Sequence, residues 1–277
     1  MTQQRFLYRQ IKHGLLFGLL FLKMIASSYA TEAHTDTEAL AKAAQNPVAD
    51  LISLPFQNNT NLNIPPFGRN QNVMNIQPVI PYHLTPKWNI ITRAILPVIH
   101  QPDLLKPHGA VDGVGNLNPT FFLSPNAPGK FIWGLGPTFL APTSSNAVLG
   151  PSRWGAGPSA VILTMPGHWV IGALANNIWS VTGDARTPKI NQFLTQYFIN
   201  YNLPKGWYVT SSPIITANWE APTHDVWTVP FGGGAGRLFK IEKLPININV
   251  QGFYNTVRPT EFSNWTVRAQ LQFLFPT

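Results

Sequence analysis

The chain has no cysteine among its 277 residues. A disulfide scaffold, a thiolate zinc site, a cysteine nucleophile and a lipid-modified N-terminal cysteine are thereby excluded. Charge is scarce too: charged residues are 11% of the chain, fewer than the 12% that are aromatic. That is too little charge for a disordered chain and little for an ordinary soluble surface. The bases stand singly, so nucleic acid is not expected as a partner. Beyond the leader, no apolar run reaches the roughly 20 residues of a transmembrane helix. A membrane-embedded form would have to be a closed barrel, the other structure that satisfies its own backbone in lipid.

Met1–Ala30 reads as a secretory signal peptide, with Arg5, Arg9 and Lys12 before an apolar core at Leu15–Leu22. Small residues at Ser28 and Ala30 place cleavage near Ala30. The formal net charge of +8 comes partly from this leader: without its four bases, 15 bases face 11 acids. Residues 31–50 differ in composition. Thr37–Ala44 favours helix by propensity, and Asn46-Pro47 stops it. This stretch is expected to be a periplasmic segment, either a tail or a small plug entering the barrel.

From Leu51 to the end a two-strand unit repeats. Its markers are short turns that lead into an aromatic: Thr85-Pro86-Lys87-Trp88, Ala127-Pro128-Gly129-Lys130-Phe131, Met165-Pro166-Gly167-His168-Trp169 and Leu203-Pro204-Lys205-Gly206-Trp207. Lys243-Leu244-Pro245-Ile246 is a weaker copy. The spacing is 38 to 43 residues, which fits repeated hairpins. Twelve strands are predicted: Leu51–Thr60, Gln71–Tyr82, Trp88–Val98, Gly115–Leu123, Phe131–Ala141, Trp154–Met165, Trp169–Val181, Ile190–Asn202, Trp207–Trp219, Trp227–Phe239, Ile246–Val257 and Trp265–Phe275. The fold class is all-β, an antiparallel transmembrane barrel of about 12 strands with a short N-terminal helical segment.

The last strand shows the pattern best. Trp265, Val267, Ala269, Leu271, Phe273 and Phe275 alternate with Thr266, Arg268, Gln270 and Gln272; Leu274 is an apolar intruder in the polar row. A soluble sandwich would hide the greasy row, whereas a membrane barrel turns it to lipid and the polar row to a lumen. Tryptophan favours the barrel. Trp88, Trp169 and Trp207 follow short turns, with Trp133 nearby, while Trp154, Trp179, Trp219, Trp227 and Trp265 border longer connections. Two rows at opposite strand ends resemble interfacial girdles. Against a regular barrel stand prolines inside predicted strands, at 78, 97, 119, 137, 158, 213 and 230, each removing a ladder donor.

No constellation points to catalysis. The histidines are spread singly without metal-ligand spacing, so neither a metal nor another cofactor is expected. His100 and His108 share a loop with Asp103 and Asp112, and His224-Asp225 lacks a second acidic pair. Gly232–Gly236 lacks the lysine of a phosphate loop and reads as thin barrel wall or a kink. The informative residues are those expected to line the lumen: Arg93, Gln192, Gln196, Asn218, Asn247, Asn249, Gln251, Arg268, Gln270 and Gln272. Arg93 and Arg268 would either bias the pore's charge or balance acids such as Asp36, Glu38 or Asp50.

The run Asn46-Pro47-Val48-Ala49-Asp50-Leu51-Ile52-Ser53-Leu54-Pro55-Phe56-Gln57-Asn58-Asn59-Thr60 adds a further signal, with Gln71–Pro81, Leu117–Thr120, Gly155–Met165, Asn191–Leu203, Thr228–Gly236 and Gln270–Pro276. Over about residues 45–277 the chain resembles a Gram-negative outer-membrane family labelled "neuromedin U", related to the barrels of the phenol-degradation MetA-pathway group. The resemblance implies an outer-membrane transporter, with aromatic or apolar cargo suggested by that relation alone. It offers no catalytic residues, and no enzyme activity is expected. The expected partners are outer-membrane lipid, the barrel assembly machinery acting through the C-terminal strand, and a small-molecule cargo. A non-conducting barrel working through its extracellular loops is the alternative.

Overall fold

A computed structural model describes residues 34–104, 109–127, 129–183 and 186–275. The signal peptide read from Met1–Ala30 lies outside them. Among the described residues one helix, α1 (His34–Ala44), precedes the sheet. The strands are β1 (Ile52–Ile64), β2 (Arg69–Ile76), β3 (Val79–Thr85), β4 (Trp88–Gln101), β5 (Val111–Val114), β6 (Asn118–Pro125), β7 (Ile132–Leu140), β8 (Arg153–Thr164), β9 (Trp169–Gly183), β10 (Asn191–Asn202), β11 (Trp207–Ser211), β12 (Ile214–Asn218), β13 (Trp227–Ile241), β14 (Leu244–Val257) and β15 (Trp265–Phe275).

All of them pair in one antiparallel sheet that closes on itself. β1 pairs with β15 from Ile52↔Phe275 to Leu62↔Trp265, and β9 pairs with β10 from Trp169↔Tyr201 to Trp179↔Asn191. Three wall positions are broken strands, β2–β3, β5–β6 and β11–β12, so the wall has twelve staves. Closure matters because it leaves no unpaired edge.

The strand prolines explain the breaks. Pro78 lies in the gap between β2 and β3, and Pro213 in the gap between β11 and β12. Gly115–Leu117, between β5 and β6, lies beside Pro97, whose carbonyl accepts from the Gly115 amide. Pro230 sits at a register shift between β13 and β14. A proline cannot donate to the ladder, so the chain bulges or changes partner there. The sequence-based strands Gln71–Tyr82 and Trp207–Trp219 are thus each two pieces, while the one expected from Gly115 to Leu123 is β6 alone, with β5 lying before it.

Side chains alternate in and out as the pleat demands. In β15, Arg268, Gln272 and Leu274 are buried, while Trp265, Val267, Leu271 and Phe275 are exposed on the outside. The tryptophans also lie outside, in two groups. At the short-turn end Trp88 meets Trp133 edge-on, Trp169 meets Tyr201, and Arg237 covers Trp207. Toward the long connections Trp219 meets Trp227 and Tyr254 meets Trp265, with Trp154 and Trp179 exposed beside them. The glycine run in β13 is not a kink: its pairing with β14 is unbroken from Pro230 to Ile241. It is thin wall, and a Cβ on Gly236 would stand 2.3 Å from the Tyr208 ring.

Candidate functional site

The barrel interior has two chemical halves. On the side of β10 to β15 and β1, it is lined by carboxamides and hydroxyls. Tyr208 donates to Asn247 (2.9 Å), Asn247 donates to Gln272 (3.0 Å), and the Ser212 amide and hydroxyl both donate to Gln251 (3.1 and 3.0 Å). These four bonds are between neutral groups, and Arg268 is the buried charge among them. The opposite side, formed by β4 and β6 to β10, carries an apolar cluster among buried hydroxyls and amides such as Asn89, Thr120, Thr138 and Ser159. Ile91, Phe122, Val161, Leu163, Val170, Leu174 and Phe198 pack there as one cluster with Val48.

The short-turn end is filled by the N-terminal segment. α1 forms because Thr37–Ala44 is rich in good helix formers and Glu38 pairs with Lys42 one turn on, at 3.3 Å. Asn46 ends it by accepting from the Val48 amide, at 2.9 Å. The face carrying Leu40, Ala41, Ala43 and Ala44 packs on Leu51, Leu238 and Leu274. Leu274 is therefore apolar within a polar row because the helix covers it. Lys42 donates to the Gly167 carbonyl (2.6 Å), His168 lies 3.0 Å from Glu38, and Gln45 and Asn202 join their amides at 2.9 Å. His83 and Asp50 stand 3.7 Å apart.

Burial alone would raise the Glu38 carboxyl. The hydrogen bond and charge of Lys42, then those of His168, outweigh it and hold Glu38 below the ordinary glutamate value of 4.5. A depressed folded value means that this contact stabilises the docked segment fully above the ordinary value. Its contribution is lost as pH falls through the folded one. Acidification is thus expected to loosen α1. A nitroxide label at the exposed Ala39 should gain mobility below about pH 4.5, and Glu38→Gln should show that mobility already at pH 7. A label equally immobile at both pH values would show that Glu38 does not hold the helix.

Among the described residues two chambers lie side by side inside the wall. One, of about 150 Å3, is bounded by Ala43–Pro47, Ala49 and Leu51 and walled by carboxamides that include Gln196, Asn247, Asn249, Gln251, Gln270 and Gln272. The other, of about 210 Å3, lies between Phe122, Leu174, Leu194 and Ile214, with Asn75, Asn118 and Asn176. Gln57, Gln77, Arg93 and Gln196 belong to both and mark the passage between them. Gln192 and Asn218 pair with each other on neighbouring strands and are exposed at the strand ends next to the long connections. Of the lumen residues named from sequence, these two and Arg268 line neither chamber.

Arg93 and Arg268 differ in their surroundings. Arg268 is buried and held on three sides: it donates to Asn59 (2.8 Å) and to the Ser212 carbonyl (2.7 Å), and its guanidinium lies 4.9 Å from the centre of the Phe253 ring. Arg93 makes one hydrogen bond, from Nη2 to Gln77 at 2.7 Å, and Gln77 in turn donates to Gln57 at 3.4 Å. Among the described residues neither arginine has an acidic partner. Glu38 is engaged by Lys42 and His168, and Asp50 lies beside His83; of the acids named from sequence, neither of these two balances an arginine. Gln57, Gln77, Tyr208, Ser212 and Phe253 were absent from the sequence-based lumen set. Gln77 sits in a strand break, and Phe253 is apolar in an otherwise polar row.

The remaining histidine pairs lie elsewhere. His100 and Asp112 face each other across β4 and β5 at 2.6 Å, while Asp103 pairs with Arg69 at 3.3 Å. His224 lies 3.4 Å from Asp225, whose carboxylate accepts from the Thr260 amide and hydroxyl and so ties two loops together. The Thr260 amide heads the causes that hold Asp225 below its usual value. Among the described residues no group of three or more His, Cys, Asp or Glu side chains is placed to hold a metal.

No protein-family model matches the chain, and no curated protein matches it. Solved structures do. The crystal structure of the COG4313 outer membrane channel from Pseudomonas putida F1 aligns with a TM-score of 0.62 and 17% identity, over 81% of this chain and 94% of that one. The CymD monoaromatic hydrocarbon channel aligns at 0.47 and 9% identity, over 91% of this chain and 95% of that one. Outer membrane phospholipase A from Escherichia coli aligns at 0.46 and 12% identity, over 85% and 97%. At 17% identity the likeness to the COG4313 channel carries fold and not activity. The "neuromedin U" label finds no support in these likenesses. With the COG4313 channel as its structural likeness, this chain folds as a closed antiparallel β-barrel of the outer-membrane type.

Proposed function

We propose that the protein is a narrow passive channel for small molecules in the outer membrane. The observation that carries this reading is the pair of chambers that meet at Arg93 inside a closed wall. In this reading the exposed apolar rows face lipid, and the tryptophan groups sit at its two interfaces. The carboxamide wall replaces bulk water for a passing solute without binding it tightly. Residues 34–50 narrow the exit at the short-turn end, and the two arginines, unmatched by acid, favour anions.

Planar-bilayer recording of the mature protein tests this. The expected result is a small steady conductance whose reversal potential in a salt gradient reports anion preference. Arg93→Gln should shift that potential toward zero. Silence from a barrel whose folding is verified by heat-modifiable gel mobility would overturn the channel reading. It would favour a structural barrel that works through its longer connections.

A further inference from the structure

We propose that the chamber beyond Arg93 is a binding site for a small carboxylate with an apolar, ring-sized body. This rests on the channel reading for its biological use, and on the chamber's own chemistry for its ligand. Arginine keeps its charge in proteins and carries five N–H donors. Arg93 spends one of them, on the neutral carbonyl of Gln77. Its Nε and Nη1 have no partner among the described residues, and its side chain borders both chambers. A guanidinium taken out of bulk water with a single neutral acceptor is poorly compensated, and an anion in the same space would restore the balance. Arg268, already held by Asn59, the Ser212 carbonyl and Phe253, has no such need.

The space next to Arg93 specifies the rest of the ligand. Ile95, Phe122, Leu174, Leu194 and Ile214 line the chamber of about 210 Å3 beside the amides of Asn75, Asn118 and Asn176, and most of its open wall is apolar, so a largely apolar body fits behind the charge. That volume suits one ring or a short branched chain and excludes an extended fatty acid. A planar carboxylate matches the flat guanidinium by paired hydrogen bonds, which a spherical halide cannot make. The shape therefore selects for benzoate-like anions over both chloride and neutral aromatics.

The test uses the detergent-solubilised full-length mature protein, with benzoate, acetate and benzyl alcohol as probes in isothermal titration calorimetry. Benzoate should bind saturably. Acetate, which lacks the body, and benzyl alcohol, which lacks the charge, should each bind at least roughly ten-fold more weakly. Arg93→Gln should weaken benzoate by roughly ten- to a hundred-fold, the loss of a charge-assisted pair. Leu194→Trp, which fills the chamber and keeps the arginine, should abolish benzoate binding, and it serves if Arg93→Gln does not fold. No saturable benzoate binding, or equal affinity for acetate, or full affinity in a folded Arg93→Gln barrel, would overturn the site. The assay needs no current. Binding without conductance would sink the channel reading alone, and conductance without binding would sink the site alone.

Discussion

The variant lacking residues 34–50 is expected to pass several-fold more current than the full chain. α1 and the segment after it bound the chamber of about 150 Å3 from the short-turn end, where Ala43–Pro47, Ala49 and Leu51 face the carboxamide wall. The ties that hold them there are side-chain contacts: Lys42 to the Gly167 carbonyl, Gln45 to Asn202, and Glu38 to His168. None is a ladder bond. The wall closes between β1 and β15 through a register beginning at Ile52, just past the deleted stretch. The barrel should therefore assemble without it. The cost is exposure of Leu238 and Leu274, about 1.5–3 kcal/mol for each leucine brought into water. A twelve-stranded wall is wider than the eight-stranded barrels that side chains fill. Once emptied, it should conduct as a wider and less anion-selective pore. Unchanged conductance in the folded variant would mean that the restriction lies at Gln57, Gln77, Arg93 and Gln196 instead.

The second large effect is expected from Gly157→Val, a loss of roughly 3 kcal/mol in unfolding free energy or failure to assemble. Pro137 and Pro158 stand opposite each other on β7 and β8. Neither can donate to its other neighbour. The β8–β9 ladder accordingly skips Gly157 and Pro158, resuming at Ser159↔Asn176. β6 and β7 pair only at Thr120↔Thr138 and Leu123↔Leu135. The wall closes over these gaps by bringing backbone against glycine. A Cβ on Gly157 would lie 1.7 Å from the Asn177 carbonyl oxygen, and one on Gly136 would lie 1.8 Å from that of Phe121. No rotamer relieves such a contact, so the strands must part where their ladder is already weakest. Gly252→Ala is the control, because a Cβ there meets nothing within 4 Å. Urea unfolding in detergent, followed by heat-modifiable mobility, measures both. A Gly157→Val barrel as stable as the Gly252→Ala control would show that the strands are not pinched at this seam.

Much of this was legible in the residues because a strand's period of two is written directly into composition. β15 spans Trp265–Phe275 as the alternation predicts, and Asn247, Asn249 and Gln251 fall on the buried side of β14. The turn residues placed the hairpins, and the alanine-rich run marked α1. The prolines announced irregularity without saying which strands would divide. That depends on the neighbour each missing N–H would have faced. β8 shows a different limit: Ala156–Leu163 is apolar or small on both faces, so no alternation told which side was inside. Closure decided it, turning Val161 and Leu163 inward and leaving Ile162 exposed.

The sequence by itself determined a closed barrel with a short N-terminal helical segment after the leader, since cysteine, long apolar runs and clustered charge are absent and hairpins recur. Only the tertiary structure separated the two arginines. Both lie on polar rows, and their local sequences give no reason to rank them. Arg268 finds Asn59 some 209 positions away. Arg93 comes to rest between two chambers with Gln77 as its one hydrogen-bond partner among the described residues. Whether a charge is satisfied depends on which strands closure brings across the lumen. Strand order and stagger set that, and no stretch of the chain carries it alone.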